Sequence, residues 1–330
     1  MEPILCVTAP NPGPFTGQGT NSWLLGADDL VLIDPGPALP AHEAELVRAI
    51  AGRRVLAVLV THAHRDHCDL ALPLARRLGA PVHAAADAFG GRPPHGPPGT
   101  EVDATFRPDH ALTDGQMLEF GGLRLRALHT PGHLGGHFCF AFGDALFSGD
   151  HVMGWSTTVV FPPEGDMAAY RASLARLARG DWRRILPGHG PEIANPMARL
   201  AALAAHRDAR EAQVLTALAR GPATARDIAA QVYPELNPDL ISAATANVLA
   251  HLVQLQAEGR IAPFSAALGD LIAPPRAAAM TAGQPGAQAA PAAAAAKPPG
   301  PKDPEFTPLT RFALTLPAPP ALKTPPQAPV

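Results

Sequence analysis

The chain has 330 residues, 47% hydrophobic and 17% charged, enough for one large domain with a smaller companion. A formal net charge of −3 argues against a protein devoted to neutralising duplex phosphates, which carries a basic surplus. Cys6, Cys68 and Cys139 are too few and scattered for a disulfide framework. The N-terminus shows no signal-peptide pattern, and no run approaches the roughly 18 uninterrupted apolar residues of a membrane helix, so a reducing cytoplasmic setting is expected.

In chain order, residues 30–33 and 55–60 are short apolar runs of buried-strand length, each ending in a turn that bears Asp or His. Leu123, Leu125 and Ala127 alternate with Arg124 and Arg126, and Phe138, Phe140 and Phe142 alternate with small neighbours, which predicts two strands of a mixed sheet. Residues 144–147 and 184–186 read as further short strands. Met167, Tyr170, Leu174 and Leu177 recur at helical spacing, with Asp166 as N-cap and Gly180 as the stop. Strands interspersed with helices predict a layered α/β (α+β) domain over residues 1–195.

Beyond it the pattern turns helical. Residues 206–219 form one predicted helix, and 224–232 a second that opens on a capping-box-like T-x-x-D. Ile241, Val248, Leu252 and Leu255 share the face of a third, ending at Gly259, after which Arg260 and Ile261 open a short strand. This predicts a small winged-helix-like domain over 196–273. Such modules usually read DNA, yet residues 206–262 hold five Arg against six acids, so a structural or interface role is expected instead. The last 57 residues, 274–330, contain 15 prolines and all three lysines, and are expected to be a disordered, polyproline-like tail.

The densest chemical signal is T-H-A-H-R-D-H at residues 61–67, directly after an apolar run. Three histidines and a carboxylate within six positions are hard to explain by packing. In an extended segment His62 and His64 point the same way and reach one ion at about 2.0 Å, while Asp66 and His67 in the next turn face a second. Imidazole and carboxylate without thiolate suit Zn, Fe or Mn. T-P-G-H, S-G-D and P-G-H-G then place His133, Asp150 and His189 singly after predicted strands, which is how a rigid sheet presents a site. His137 suits a core or rim position, His151 either substrate contact or structure, and Cys68 a small buried residue. Residues 90–109 and the loop 151–165, with Met153, Trp155 and Phe161, are candidate pocket walls.

Together these segments resemble the metallo-β-lactamase-fold hydrolases. N-P-G-P-F-T-G-Q-G-T-N at residues 11–21, and the helical region from Arg210-Glu211, resemble their lactamase-beta-2-like branch. The similarity covers most of residues 1–262. It implies an αβ/βα sandwich holding two divalent metal ions, usually Zn2+. Carried over by position, His62, His64 and His133 would hold the first ion, Asp66, His67 and His189 the second, and Asp150 would bridge them. It further implies attack by a hydroxide held between the ions, with Asp66 as the catalytic residue that orients it.

The branch implies phosphodiester cleavage in single-stranded RNA, which is the leading expectation, although the chain's acidity stands against it. A hydroxyacyl-glutathione thioesterase, or another small ester or lactone hydrolase, shares the metal motif, although no lysine precedes Lys297 to grip an anionic carrier. β-Lactam hydrolysis is disfavoured by the missing secretory signal. Only 39 positions separate Asp150 from His189, too few for the extra domain of some nuclease relatives. A metal-bearing scaffold or regulator is disfavoured because structural zinc sites are closed and single. The expected partner is a small-molecule or single-stranded RNA substrate, with neither duplex DNA nor membrane.

Overall fold

The computed structural model of the chain describes residues 3–91, 102–263 and 310–315. One sheet runs β1 (Ile4–Thr8), β2 (Asn21–Leu25), β3 (Asp29–Ile33), β4 (Arg54–Leu59), β5 (Val82–Ala84) and β6 (His110–Ala111). It is antiparallel up to β3 and parallel beyond it. The second contains β7 (Met117–Phe120), β8 (Leu123–His129), β9 (Phe138–Phe142), β10 (Ala145–Gly149) and β11 (Arg184–Pro187), ordered 11-10-9-8-7. Its β10–β11 pair is parallel and its other pairs are antiparallel.

β3 and β4 are apolar on both faces because both faces are covered. Leu30, Leu32, Val55 and Val58 turn outward to a core shared with helices α1 (Pro40–Ile50), α2 (Arg65–Cys68) and α3 (Ala71–Leu78). Val31, Ile33, Ala57 and Leu59 turn inward, where they meet Leu123, Leu125, Phe140 and Phe147 of the second sheet. The alternation expected around Leu123 is present, with Arg124 and Arg126 exposed. Helices α4 (Met167–Leu177) and α5 (Pro196–Leu218) cover the far side of the second sheet through Tyr170, Leu174, Leu200 and Leu203. Asp166 caps α4, accepting from the Ala169 amide at 2.9 Å. The layers are therefore helix, sheet, sheet, helix, the αβ/βα sandwich that the motifs implied.

α5 begins at Pro196 rather than His206, since a proline is preorganised for a first helical turn. It enters two cores. Leu200 and Leu203 belong to the second-sheet core, while Val214, Ala217 and Leu218 join a separate cluster with α6 (Ala225–Val232) and α7 (Ile241–Ala257). Thr224 and Asp227 form the capping box at α6. Ile241, expected on the buried face of α7, is exposed; Ala244, Val248, Leu252 and Leu255 make that face. The segment Pro238–Ala257 is long and apolar enough to cross a membrane by length and composition. Its apolar side fills this core.

The largest departure concerns the C-terminal stretch. Of residues 274–330, only 310–315 are described, and the tail reading of the others lies outside the described residues. Within 310–315, β14 (Arg311–Leu314) inserts between β12 (Ala223–Thr224) and β13 (Ile261–Pro263), pairing antiparallel with both. Phe312 is completely buried in the α5–α6–α7 core, and this apolar gain sets the strand apart from its proline-rich surroundings.

His251 of α7 is buried, and neither ring nitrogen has a hydrogen-bond partner among the described residues. Burial, reinforced by Arg207 and Arg171, pushes it down to about 3. Unfolded, the group titrates near 6.5. The unfolded state thus binds the extra proton, so stability is complete above pH 6.5 and is lost as pH falls toward 3. Between pH 6.5 and 5 the unsubstituted chain should lose about 2 kcal/mol more stability than His251→Leu. Urea unfolding at the two pH values measures this, and equal losses would refute it.

Candidate metal centre

Four strands end at one edge of the sandwich, and each is followed by a predicted ligand. His62 follows β4, His133 follows β8, Asp150 follows β10 and His189 follows β11. Turn chemistry fixes their directions. The Thr61 amide and hydroxyl each donate to Asp34 at 2.7 Å, which pins the chain leaving β4. His64 then takes the N-cap position of α2, and the first turn of that helix carries Asp66 and His67. Two glycines are obligatory here. A Cβ on Gly149, whose φ is +48°, would lie 2.7 Å from both His137 Nε2 and Thr61 Oγ1. A Cβ on Gly188 would lie 2.5 Å from Asp150 Oδ1.

The seven predicted residues all come together. Ligand atoms of His62, His64, His133 and Asp150 lie within 4.8 Å of one another, as do those of Asp66, His67 and His189. A tetrahedral ion with ligands at about 2.0–2.1 Å requires neighbouring ligand atoms about 3.3 Å apart. His67 Nε2 lies 3.4 Å from His189 Nε2 and 3.4 Å from Asp66 Oδ2. His189 Nε2 lies 3.3 Å from Asp66 Oδ2. In the other group, His133 Nε2 is 3.0 Å from His64 Nδ1, and Asp150 Oδ2 is 3.6 Å from His133 Nε2 and 3.9 Å from His62 Nε2. Asp150 also faces the second group, with Oδ1 3.3 Å from His67 Nε2 and Oδ2 3.3 Å from His189 Nε2. Among the described residues His62 Nε2 and Asp150 Oδ1 are buried without a hydrogen-bond partner, so the cluster points lone pairs at shared centres. These residues fit a pair of divalent cations.

Electrostatics divide the two groups. Burial pushes His64 down to about 3 and, with neighbouring imidazoles, holds His62 and His133 below their ordinary value, so all three offer neutral lone pairs. Burial would also lower His67 and His189, but the carboxylates around them outweigh it and raise both. Asp150 is held well below the usual carboxylate range, because His189 and His67 overcome its desolvation. A third group, Cys68, Asp69 and Asp103, lies outside the cluster, and burial raises the Cys68 thiol and keeps it protonated.

Sequence reasoning missed the residues that aim the ligands. His67 Nδ1 pairs with Asp34 Oδ2 at 3.0 Å, the carboxylate contact that fixes a ligating ring. The Thr20 hydroxyl donates to Asp66 Oδ2 at 2.8 Å and accepts from Asn11 Nδ2 at 3.0 Å. Asn21 Nδ2 donates to the carbonyls of Pro187 and Gly190, and His189 Nδ1 donates to the Gly19 carbonyl at 3.1 Å. The stretch 11–21, noted only for its resemblance, therefore holds two ligands in place.

A cavity of about 430 Å³ opens from the cluster. Met153, Trp155 and Phe161 line it, as the loop reading expected, together with Phe15 and with Tyr233, Leu236 and Leu240 from the segment between α6 and α7. Arg65 is the one Arg or Lys among its described lining residues. His206 also borders it. His151 does not line it but is buried against Tyr170, with ring centroids 4.6 Å apart, so its substrate-contact alternative falls. The stretch 90–109 lies partly outside the described residues, and its described part does not line the cavity.

Comparison with known proteins agrees with this geometry. The family model of the Metallo-beta-lactamase superfamily matches residues 15–189, and that of the beta-lactamase associated winged helix domain matches 224–264. The atrochrysone carboxyl ACP thioesterase of Aspergillus chevalieri is 32% identical over 253 residues, covering 72% of this chain and 75% of that protein. The beta-lactamase-like protein 2 homolog of Drosophila melanogaster is 31% identical over 268 residues, covering 78% and 89%. A solved metallo-beta-lactamase family protein from Thermus thermophilus superposes with a TM-score of 0.66 at 29% identity, covering 79% of this chain and 96% of the other.

Proposed function

As a member of the metallo-beta-lactamase superfamily the chain is a hydrolase, and we propose that it cleaves esters or thioesters with an apolar acyl group. In this reading His62, His64 and His133 would hold one divalent ion and Asp66, His67 and His189 another, with Asp150 placed toward both groups. The ions, when bound, supply a nucleophile at neutral pH and polarise the acyl carbonyl. Asp66, anchored by Thr20, would orient the attacking oxygen. Neutral His133 and His64 keep their lone pairs on the cluster, and the cavity wall seats the acyl group and excludes water.

That wall is the observation that carries the proposal. Phe15, Met153, Trp155, Phe161, Leu236 and Leu240 offer an apolar surface to a neutral acyl chain or ring. A phosphodiester backbone calls for several cations along its path, whereas Arg65 is the one Arg or Lys among the described lining residues. The same shortage disfavours an anionic glutathione carrier. The relative named as an ACP thioesterase supports the preference for acyl transfer to water.

Three substrates given in parallel to zinc-reconstituted protein test it: an aryl or medium-chain acyl thioester, a hydroxyacyl-glutathione thioester and a single-stranded RNA oligonucleotide. The apolar thioester should exceed the glutathione thioester by at least about tenfold in kcat/KM, the scale of one or two buried methylenes. RNA cleavage that disappears in Asp66→Ala, without thioester turnover, would overturn the proposal in favour of a nuclease.

A further inference from the structure

We infer that the winged-helix side of the molecule is a positioning element of the metal centre, acting through Arg207 and Asn247 on the ring of His133. The inference rests on His133 being a metal ligand, as proposed above. His133 turns Nε2 toward the cluster, so its Nδ1 carries the proton and needs a fixed acceptor to set the ring plane. Two acceptors meet it: the Val159 carbonyl at 2.8 Å and the Thr158 hydroxyl at 2.9 Å. Both lie in a segment that is neither helix nor strand and that no sheet holds in place.

What holds that segment comes from α5 and α7. Arg207 Nη2 donates to the Thr158 carbonyl at 2.6 Å, and the Val160 amide donates to Asn247 Oδ1 at 3.1 Å. Arg207 Nη1 reaches the same Asn247 oxygen at 3.4 Å, which ties the two clamps together. Arg207 is completely buried, and its contacts are dipolar: a carbonyl, an amide oxygen and the face of Tyr170, 5.0 Å from the ring centroid. Among the described contacts this buried guanidinium meets dipoles, and an aliphatic side chain would fill the same space at less desolvation cost. Its fork does what an aliphatic chain cannot, joining the segment that carries both His133 acceptors to α7. Asn247 gives the contact from the other side, and it borders the cavity as well.

The test is metal binding by the full chain. Metal-free protein is titrated with Co2+ by visible absorbance and with Zn2+ against a chromophoric chelator, and His64→Ala and His189→Ala identify which dissociation constant belongs to which group. Arg207→Met and Asn247→Leu should each weaken the constant of the His62–His64–His133 group by about 10- to 100-fold and leave the other in place. Arg207→Lys, which keeps the charge but cannot span both acceptors, should fall between. Thermal unfolding of the metal-free proteins separates this from a general loss of fold; if Arg207→Met does not fold, Asn247→Leu decides. Unchanged first-group affinity, or equal weakening of both groups, would overturn the positioning role. A parent chain that binds fewer than two ions would overturn the ligand assignment itself, a different and distinguishable failure.

Discussion

Replacing Asp66 by Ala should lower kcat/KM on an apolar thioester by about a thousandfold, with the secondary structure intact. Three observations set that scale. Its Oδ2 stands 3.4 Å from His67 Nε2 and 3.3 Å from His189 Nε2, so the side chain belongs to the second ion's group. Burial opposes its ionisation, but His67 and His189 outweigh burial and keep it a carboxylate at neutral pH. The Thr20 hydroxyl occupies one of its oxygens and fixes its rotation. Ala removes charge, ligand atom and orientation together, while Asn would keep the shape and the Thr20 contact. Both variants should be assayed with their metal content measured, so that lost chemistry is separated from lost metal. An Ala variant with native turnover and native metal content would remove Asp66 from the reaction.

Phe312→Ala should destabilise the α5–α6–α7 core by about 3–5 kcal/mol, the usual result of emptying a buried aromatic site. Phe312 lies opposite Ala223 of β12 and Pro263 of β13, so its loss opens the junction of all three strands. Tyr233, Leu236 and Leu240 rest on the same module, and the preference for apolar acyl groups should fall with its stability. Calorimetric unfolding of the full chain, combined with the ratio of kcat/KM for long and short acyl thioesters, reads both effects. A variant that unfolds with the parent chain would show that β14 does not support the module.

The metal cluster is legible in the sequence because its ligands obey local rules. His62 and His64 sit in an extended segment, Asp66 and His67 in the turn directly after it, and His133, Asp150 and His189 follow strands whose apolar runs can be counted. Asp166 and the Thr224–Asp227 pair likewise announce their helix starts, since capping needs only residues three apart. The supports are not legible, because their partners are distant in sequence. Asp34 meets His67 across 33 positions and looks like an ordinary turn residue before Pro35. Arg207 lies among polar residues in an amphipathic helix, where an arginine reads as solvent-facing, and only the tertiary fold buries it. β14 is a different case: the alternation Phe312, Leu314 and Leu316 was available, but the surrounding prolines dominate the composition.

A single continuous helix, α5, serves both the second-sheet core and the small core around Phe312. Its 23 residues span about 35 Å, so the two cores are set at a fixed rotational phase, not merely joined. Removing one residue between Leu203 and Val214 would turn everything beyond it by about 100° and draw it in by about 1.5 Å. Tyr233 and Leu236 would swing away from the cavity and Asn247 away from Val160. Side chains on the exposed face of α5 are free to change, whereas its length between the two cores is fixed as tightly as a ligand position.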